Sequence, residues 1–240
     1  MVGKYVDRIA KEKLNIILLV DASKSMGGKR ISQVDEAIKE IKDYLVDLQK
    51  ENSNVNFYIT IIPFNNGAYF YKNKPSVNIE DFSYSGIPVG GWSNLHCGYE
   101  KLKEILKKES QGGMMPDFGG VAPILLLLTD GHPTGDKYIE VLNEIKRIPW
   151  FKVALRYGIA IELSDERTTK VLRDFVEDSG EVIKCYDSSM LKRIIKIIVL
   201  TASKVKSSSA NVSYDSKNNK NNEIKQDILE ALSDTENWEW

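Results

Sequence analysis

"NIILLVDASKSMGGKR", residues 15–30, decides the fold. An apolar run, Ile16 to Val20, stops abruptly at Asp21, and Ser23 and Ser25 follow at alternate positions before the pair Gly27 and Gly28. A run this short, bounded by turn-forming residues, reads as a strand rather than a helix, and its lack of polar alternation marks a strand buried on both faces. "PILLLL" at 123–128 has the same character, and further strand-like runs lie at 55–64, 153–161 and 181–185. Between them, over about 30–50, 94–108, 136–148, 165–178 and 188–202, apolar residues return every third or fourth position, as on one face of a helix. In the first of these Ile31, Val34, Ile38, Ile41, Leu45 and Leu48 form that face. Strands alternating with helices predict an α/β, doubly wound, mostly parallel sheet with helices on both faces. "AYFYK" at 68–72 follows the 55–64 run across "NNG" and predicts a hairpin that supplies an antiparallel edge strand.

The 240 residues, with 42% hydrophobic and 28% charged side chains, suit one globular domain with a tail. A formal net charge of -1 gives no overall attraction to nucleic acid or an acidic membrane, so neither is an expected partner. Neither a leader peptide nor a membrane-length apolar segment stands out, and the expected location is cytoplasmic. Cys97 and Cys185 have no CxxC or Cys/His spacing and read as reduced structural thiols. After residue 203 Ser, Asn and Lys dominate, which predicts a domain over 1–203 and a flexible linker with a short tail over 204–240. In that tail Ile224, Ile228 and Leu232 have helical spacing, followed by the acidic "SDTENWEW".

Ligands of open α/β sheets collect beyond the carboxyl ends of the strands, where the strand order reverses. Asp21 stands at such an end, Asp130 closes the 123–129 strand in "LLTDGHPTGD", and "GGWSNLHC" leads into the helix from Asn94. If the three loops converge, Asp21, Ser23, Ser25, Ser93 and Asp130 surround one small volume lined by oxygen. Hydroxyls and carboxylates without thiolate or imidazole suit a hard divalent cation, Mg²⁺ before Ca²⁺ or Mn²⁺. With few carboxylates in the set, an open coordination position would attract an external carboxylate.

Other chemistries fit less well. A haloacid-dehalogenase-like phosphatase needs a second acid two residues after its aspartate, where this chain has Ser23. "DASKSMGGKRIS" contains neither a dinucleotide-binding GxGxxG nor a phosphate-binding GxxxxGK[ST]. His96 and His132 lack the partners of a zinc site or a hydrolytic triad. His132 reads as a loop residue able to hydrogen-bond a bound carboxylate, Asp136 as the start of the next helix, and Trp92 as either a packing residue or a rim aromatic.

"DASKS" from Asp21 to Ser25 resembles the DxSxS element of von Willebrand factor type A domains. "GGWSN" occupies the place of their threonine-bearing loop, and "TDG" at 129–131 resembles their final aspartate element, in the same order along about residues 12–202. "LLTDGHPTGD" and "GGWSNLHCGYEKL" are similar to the bacterial, tellurium-resistance TerY-like subgroup. The resemblance implies a metal-ion-dependent adhesion site. Ser23 and Ser25 would ligate directly, Asp21 and Asp130 partly through water, and Ser93 would stand where the family has threonine. It further implies a non-enzymatic scaffold that binds a protein partner's Asp or Glu through Mg²⁺, in tellurite resistance or stress response. The alternatives are a Mg²⁺-dependent phosphoryl-transfer enzyme and a scaffold inhibited by its own tail through Glu236 or Glu239.

Overall fold

The structure is a computed structural model that describes residues 11–51, 54–162 and 165–207; the linker and acidic tail expected over 204–240 lie almost wholly outside the described residues. The chain runs β1 (Glu12–Asp21), α1 (Lys29–Glu51), β2 (Val55–Phe64), β3 (Val77–Asn78), α2 (Leu95–Ile105), β4 (Ile124–Thr129), α3 (Lys137–Ile145), α4 (Pro149–Val153), β5 (Leu155–Ile161), α5 (Glu166–Val176), β6 (Gly180–Cys185) and α6 (Ser188–Ser207). The strands form one sheet in the order β3-β2-β1-β4-β5-β6. All neighbours pair in parallel except β2 with β3.

Period-two alternation along β1 splits its side chains between two cores. Leu14, Ile16, Leu18 and Val20 face α1 and α6, packing with Val34, Ile38, Leu191 and Ile195. Ile17 and Leu19 face the other layer, with Tyr99 and Leu102 of α2, Leu142 of α3 and Phe175 of α5. Both faces of β1 and β4 are therefore covered, and their apolar runs carry no polar alternation because neither face meets water. Each fully buried Leu or Ile contributes roughly 1.5–3 kcal/mol relative to exposure, so the central strands are the most strongly held part of the fold.

The sheet order places the reversal between β1 and β4, since the chain winds outward from β1 toward β2 and then from β4 toward β6. The carboxyl ends of those two strands carry Asp21 and Thr129. The topology thus opens its crevice where the two aspartate-bearing loops emerge.

The antiparallel edge strand is present but misplaced by the sequence reading. It is Val77–Asn78, paired with Ile59 and Tyr58, and not 68–72. After "NNG" the chain makes a single bridge, Phe64 with Ala68, and then turns at Lys72 and Asn73, whose φ values are 53° and 56°. Tyr71 is drawn inward against Phe82 and Tyr84, and that aromatic cluster prevails over continued pairing. The strand expected over 153–161 begins at Leu155, because Pro149 at the first turn of α4 starts a short helix that runs to Val153.

Candidate metal centre

Asp21 is the last residue of β1 and fully buried. Its Oδ1 accepts the Ser23 backbone N–H at 2.9 Å, which curls the loop tightly enough to bring Ser23 and Ser25 onto one side. The Ser23 and Ser25 hydroxyls are 3.1 Å apart, and Ser25 Oγ donates to Asp130 Oδ1 at 2.9 Å. Asp21 Oδ2 accepts from Ser93 Oγ at 2.8 Å and from Thr129 Oγ1 at 2.7 Å. The five residues expected from the sequence, Asp21, Ser23, Ser25, Ser93 and Asp130, are therefore brought together in one connected hydrogen-bond cluster.

Backbone bonds fix the three loops to one another. Gly90 donates to Ala22 O, Lys24 donates to Gly91 O, and Thr134 donates to Ser93 O. Asn66 supports the middle loop from below, its Oδ1 accepting the Trp92 N–H at 2.8 Å. Gly91 has φ +77°, and a Cβ there would lie 2.5 Å from Asn66 Oδ1, so glycine is required next to the serine loop.

Burial raises the pKa of Asp21 above the usual carboxylate range, against the opposing hydrogen bonds of Ser23, Thr129 and Ser93. Its partners in the cluster are neutral N–H and O–H donors, and among the described residues no lysine or arginine lies within ion-pair distance of it. A buried carboxylate facing only neutral donors is costly, and a cation among these oxygens would offset that cost. The chemistry of the donor set, carboxylate and hydroxyl oxygen alone, fits a hard divalent ion. Among the described residues no three His, Cys, Asp or Glu side chains are grouped to hold a metal, so any ion here depends on the serines.

Other residues singled out in the sequence fall around the cluster. Trp92 is 69% exposed and stands at the rim rather than in a core. His132 Nδ1 lies 4.0 Å from Asp165 Oδ2. Asp136 occupies the N-cap position of α3 without a side-chain cap bond. His96 contacts Cys97 Sγ at 3.4 Å, and neither cysteine is in a disulfide.

Three residues of the site escaped the sequence reading. Thr129 was visible within "TDG", although its role as a donor to Asp21 becomes evident only with the loop geometry. Arg30 Nη1 donates to Asp130 Oδ2 at 2.6 Å and to Ser25 O at 2.9 Å. Arg30 Nε donates to Glu162 Oε2 at 3.3 Å, just beyond β5.

The family model for the von Willebrand factor type A domain matches residues 15–197. Among curated proteins, the chain is 30% identical over 132 residues to inter-alpha-trypsin inhibitor heavy chain H1 of Sus scrofa, covering 52% of this chain and 14% of that one. It is 28% identical over 192 residues to the Bos taurus H1 chain, covering 75% of this chain and 19% of that one. The chain thus spans less than a fifth of the length of these relatives. Among solved structures, the von Willebrand factor domain of the type V pili tip protein Mfa5 from Porphyromonas gingivalis superposes with a TM-score of 0.53 at 11% identity, covering 85% of this chain and 99% of that one. Proximal thread matrix protein 1 from the mussel byssus, in a form with a zinc-occupied MIDAS motif, gives a TM-score of 0.51 at 18% identity, covering 80% of this chain and 48% of that one.

Proposed function

Because the chain belongs to the von Willebrand factor type A domain family, we propose that it is a non-enzymatic protein-interaction module whose metal-ion-dependent adhesion site recognises an acidic side chain of a partner. Asp21, Ser23, Ser25, Ser93 and Asp130 hold the ion, and Mg²⁺ suits their hard oxygen donors. When bound, the ion supplies a positive centre for an incoming Asp or Glu carboxylate. Thr129 keeps Asp21 oriented by occupying part of Oδ2. The Asn66-supported loop holds Ser93, and Trp92 at the rim offers an apolar contact to the partner.

The single observation that carries this reading is the buried Asp21 carboxylate, surrounded by neutral donors on three interlocked loops. The zinc in the byssus neighbour belongs to that protein and supports a divalent site here without favouring one metal. A domain over 1–203, a tail over 204–240 and a cytoplasmic location are part of the proposal. Among the described residues no helix is long and apolar enough to cross a membrane. A scaffold role in tellurite resistance rests on the TerY-like strings alone, since the relatives named above are inter-alpha-trypsin inhibitor heavy chains.

Calorimetry with Mg²⁺ and Mn²⁺ tests the site directly. Wild-type protein is expected to bind one ion, with Ser23→Ala and Asp21→Asn losing it. Affinity-captured partners should elute with chelator. Equal metal binding by wild type and both variants would overturn the assignment of these ligands.

A further inference from the structure

The first turn of α1 contains no acidic residue and opens with Lys29 and Arg30. Cations at a helix N-terminus work against the macrodipole, so the pair calls for another source of stabilisation. The partners supply it. Arg30 Nη1 bonds the Asp130 carboxylate and the Ser25 carbonyl, and Arg30 Nε reaches Glu162. Lys29 Nζ lies 3.0 Å from Glu162 Oε1, and Gln33 donates to the same oxygen at 3.2 Å. Glu162 itself has φ 58°, an unfavourable conformation for a non-glycine residue, which the three donors hold in place. An alternating chain of charge therefore runs from Asp130, whose side chain is 1% exposed, through Arg30 to Glu162 and out to Lys29 at the surface.

The two aspartates of the cluster are thus unlike: Asp21 meets only neutral donors, whereas Asp130 already has a resident cation. We propose that Arg30 is a counter-cation built into the metal site, which lowers the site's affinity for a divalent ion alone and makes metal retention depend on an acidic ligand. The inference rests on the metal-site reading given above. A divalent ion among these oxygens would share the buried Asp130 carboxylate with the guanidinium, and two positive charges on one carboxylate repel each other. A ligand carboxylate adds negative charge where two cations meet. Ion and carboxylate then strengthen each other's binding, and the coupling is reciprocal. Glu162 moderates the effect by holding Nε and drawing part of the positive charge outward. Its own pKa is lowered, first by the hydrogen bond from Lys29 and also by Arg30.

Calorimetry with Mn²⁺ on the full chain tests this with three variants. Arg30→Gln keeps an N–H donor for Asp130 and removes the charge, so it should bind Mn²⁺ about tenfold more tightly than wild type. Arg30→Lys keeps the charge and should stay near wild type, and Glu162→Gln should bind several-fold more weakly. Acetate at tens of millimolar should tighten Mn²⁺ binding more in wild type than in Arg30→Gln. Wild-type binding with Arg30→Gln folded and no tighter would overturn the role of Arg30 and leave the metal site standing. If Arg30→Gln does not fold, Glu162→Gln decides, and wild-type or tighter affinity there overturns the inference. Absence of binding in both wild type and Arg30→Gln would overturn the metal site as well.

Discussion

At the amino end of β5 one buried guanidinium, Arg156, faces several acceptors; at the carboxyl ends of β1 and β4 two buried carboxylates, Asp21 and Asp130, face hydroxyls and the single guanidinium of Arg30. Arg156 donates to Phe151 O at 2.5 Å, to Val176 O at 3.2 Å and to Glu177 at 3.0 Å, and stacks over the Phe151 ring. It closes the connection from α4 into β5 and holds Glu177, a non-glycine residue with φ 49°, at the end of α5. Burial lowers its pKa to about 10, with Glu177 and Asp178 opposing the shift, so it stays charged at neutral pH. Every hydrogen-bond partner of Arg156 belongs to the scaffold, which engages Nη1 and Nη2 and leaves the buried Nε without an acceptor. The carboxyl end differs in its balance: acceptors exceed cations there, and the loops that carry them meet solvent. Buried charge serves structure where a scaffold group of opposite charge balances it, as Glu177 does for Arg156, and serves recognition where one sign is left in excess.

Exchanging the roles of the two ends gives the largest expected effects. Arg156→Met should cost about 3 kcal/mol of stability, because the Phe151 and Val176 carbonyls each lose one hydrogen bond and Glu177 loses its buried counter-charge. That corresponds to a fall in Tm of roughly 6–12 °C for a chain of this size, measured by thermal unfolding without metal. Mn²⁺ affinity should be unchanged. Asp21→Asn should do the opposite, weakening Mn²⁺ binding by about 100-fold while leaving the metal-free Tm equal or higher, since a buried carboxylate is replaced by a neutral amide. Loss of stability in Asp21→Asn as large as in Arg156→Met would erase the distinction between the two ends.

The sequence shows these two ends unequally. "IILLV" and "PILLLL" announce strands buried on both faces, and the order of the elements suffices for a parallel sheet that reverses between them. Asp21, Ser23 and Ser25 are legible because one short loop carries them all, and Ser93 and Asp130 follow from the convergence of their loops beyond the strand ends, which the family resemblance reinforces. Arg30 is not legible in this way: among "GGKR" it looks like an ordinary helix-surface residue. Its partner Glu162 lies 132 positions away and meets it only because β5 lies two strands from β1. Arg156 is hidden for the same reason, since its acceptors come from α4 and the end of α5. The misplaced edge strand fails differently. "AYFYK" has genuine strand composition, but burying Tyr71 beside Phe82 and Tyr84 depends on residues that a local pattern does not contain.

A smaller change sharpens the comparison by acting on the support of the site rather than its ligands. Gly91→Ala places a side chain at φ +77° and against Asn66, which should cost about 1–2 kcal/mol in strain. The loop that presents Ser93 should yield first, because both its backbone bond to Lys24 and its neighbour's bond to Asn66 are at the altered position. Mn²⁺ affinity should therefore fall several-fold with a drop in Tm of only a few degrees. A variant with wild-type affinity would show that Ser93 is dispensable to the cluster.

Asp165 is the smallest of these tests and guards against reading every acid near the carboxyl edge as part of the site. Its side chain accepts the Thr168 N–H at 2.6 Å as the N-cap of α5, and that backbone bond is the chief reason its pKa is lowered. Asp165→Ala should cost about 1 kcal/mol, the usual worth of an N-cap, and leave Mn²⁺ binding untouched. The folded pKa lies below the ordinary value of 3.8, so the cap's electrostatic contribution is complete above that value and disappears as pH falls through the folded pKa. Wild type and Asp165→Ala should consequently differ most in thermal stability at neutral pH and converge in strong acid. A loss of metal affinity in this variant would extend the site to His132, which lies 4.0 Å from Asp165, and move the boundary between scaffold and recognition outward along the rim.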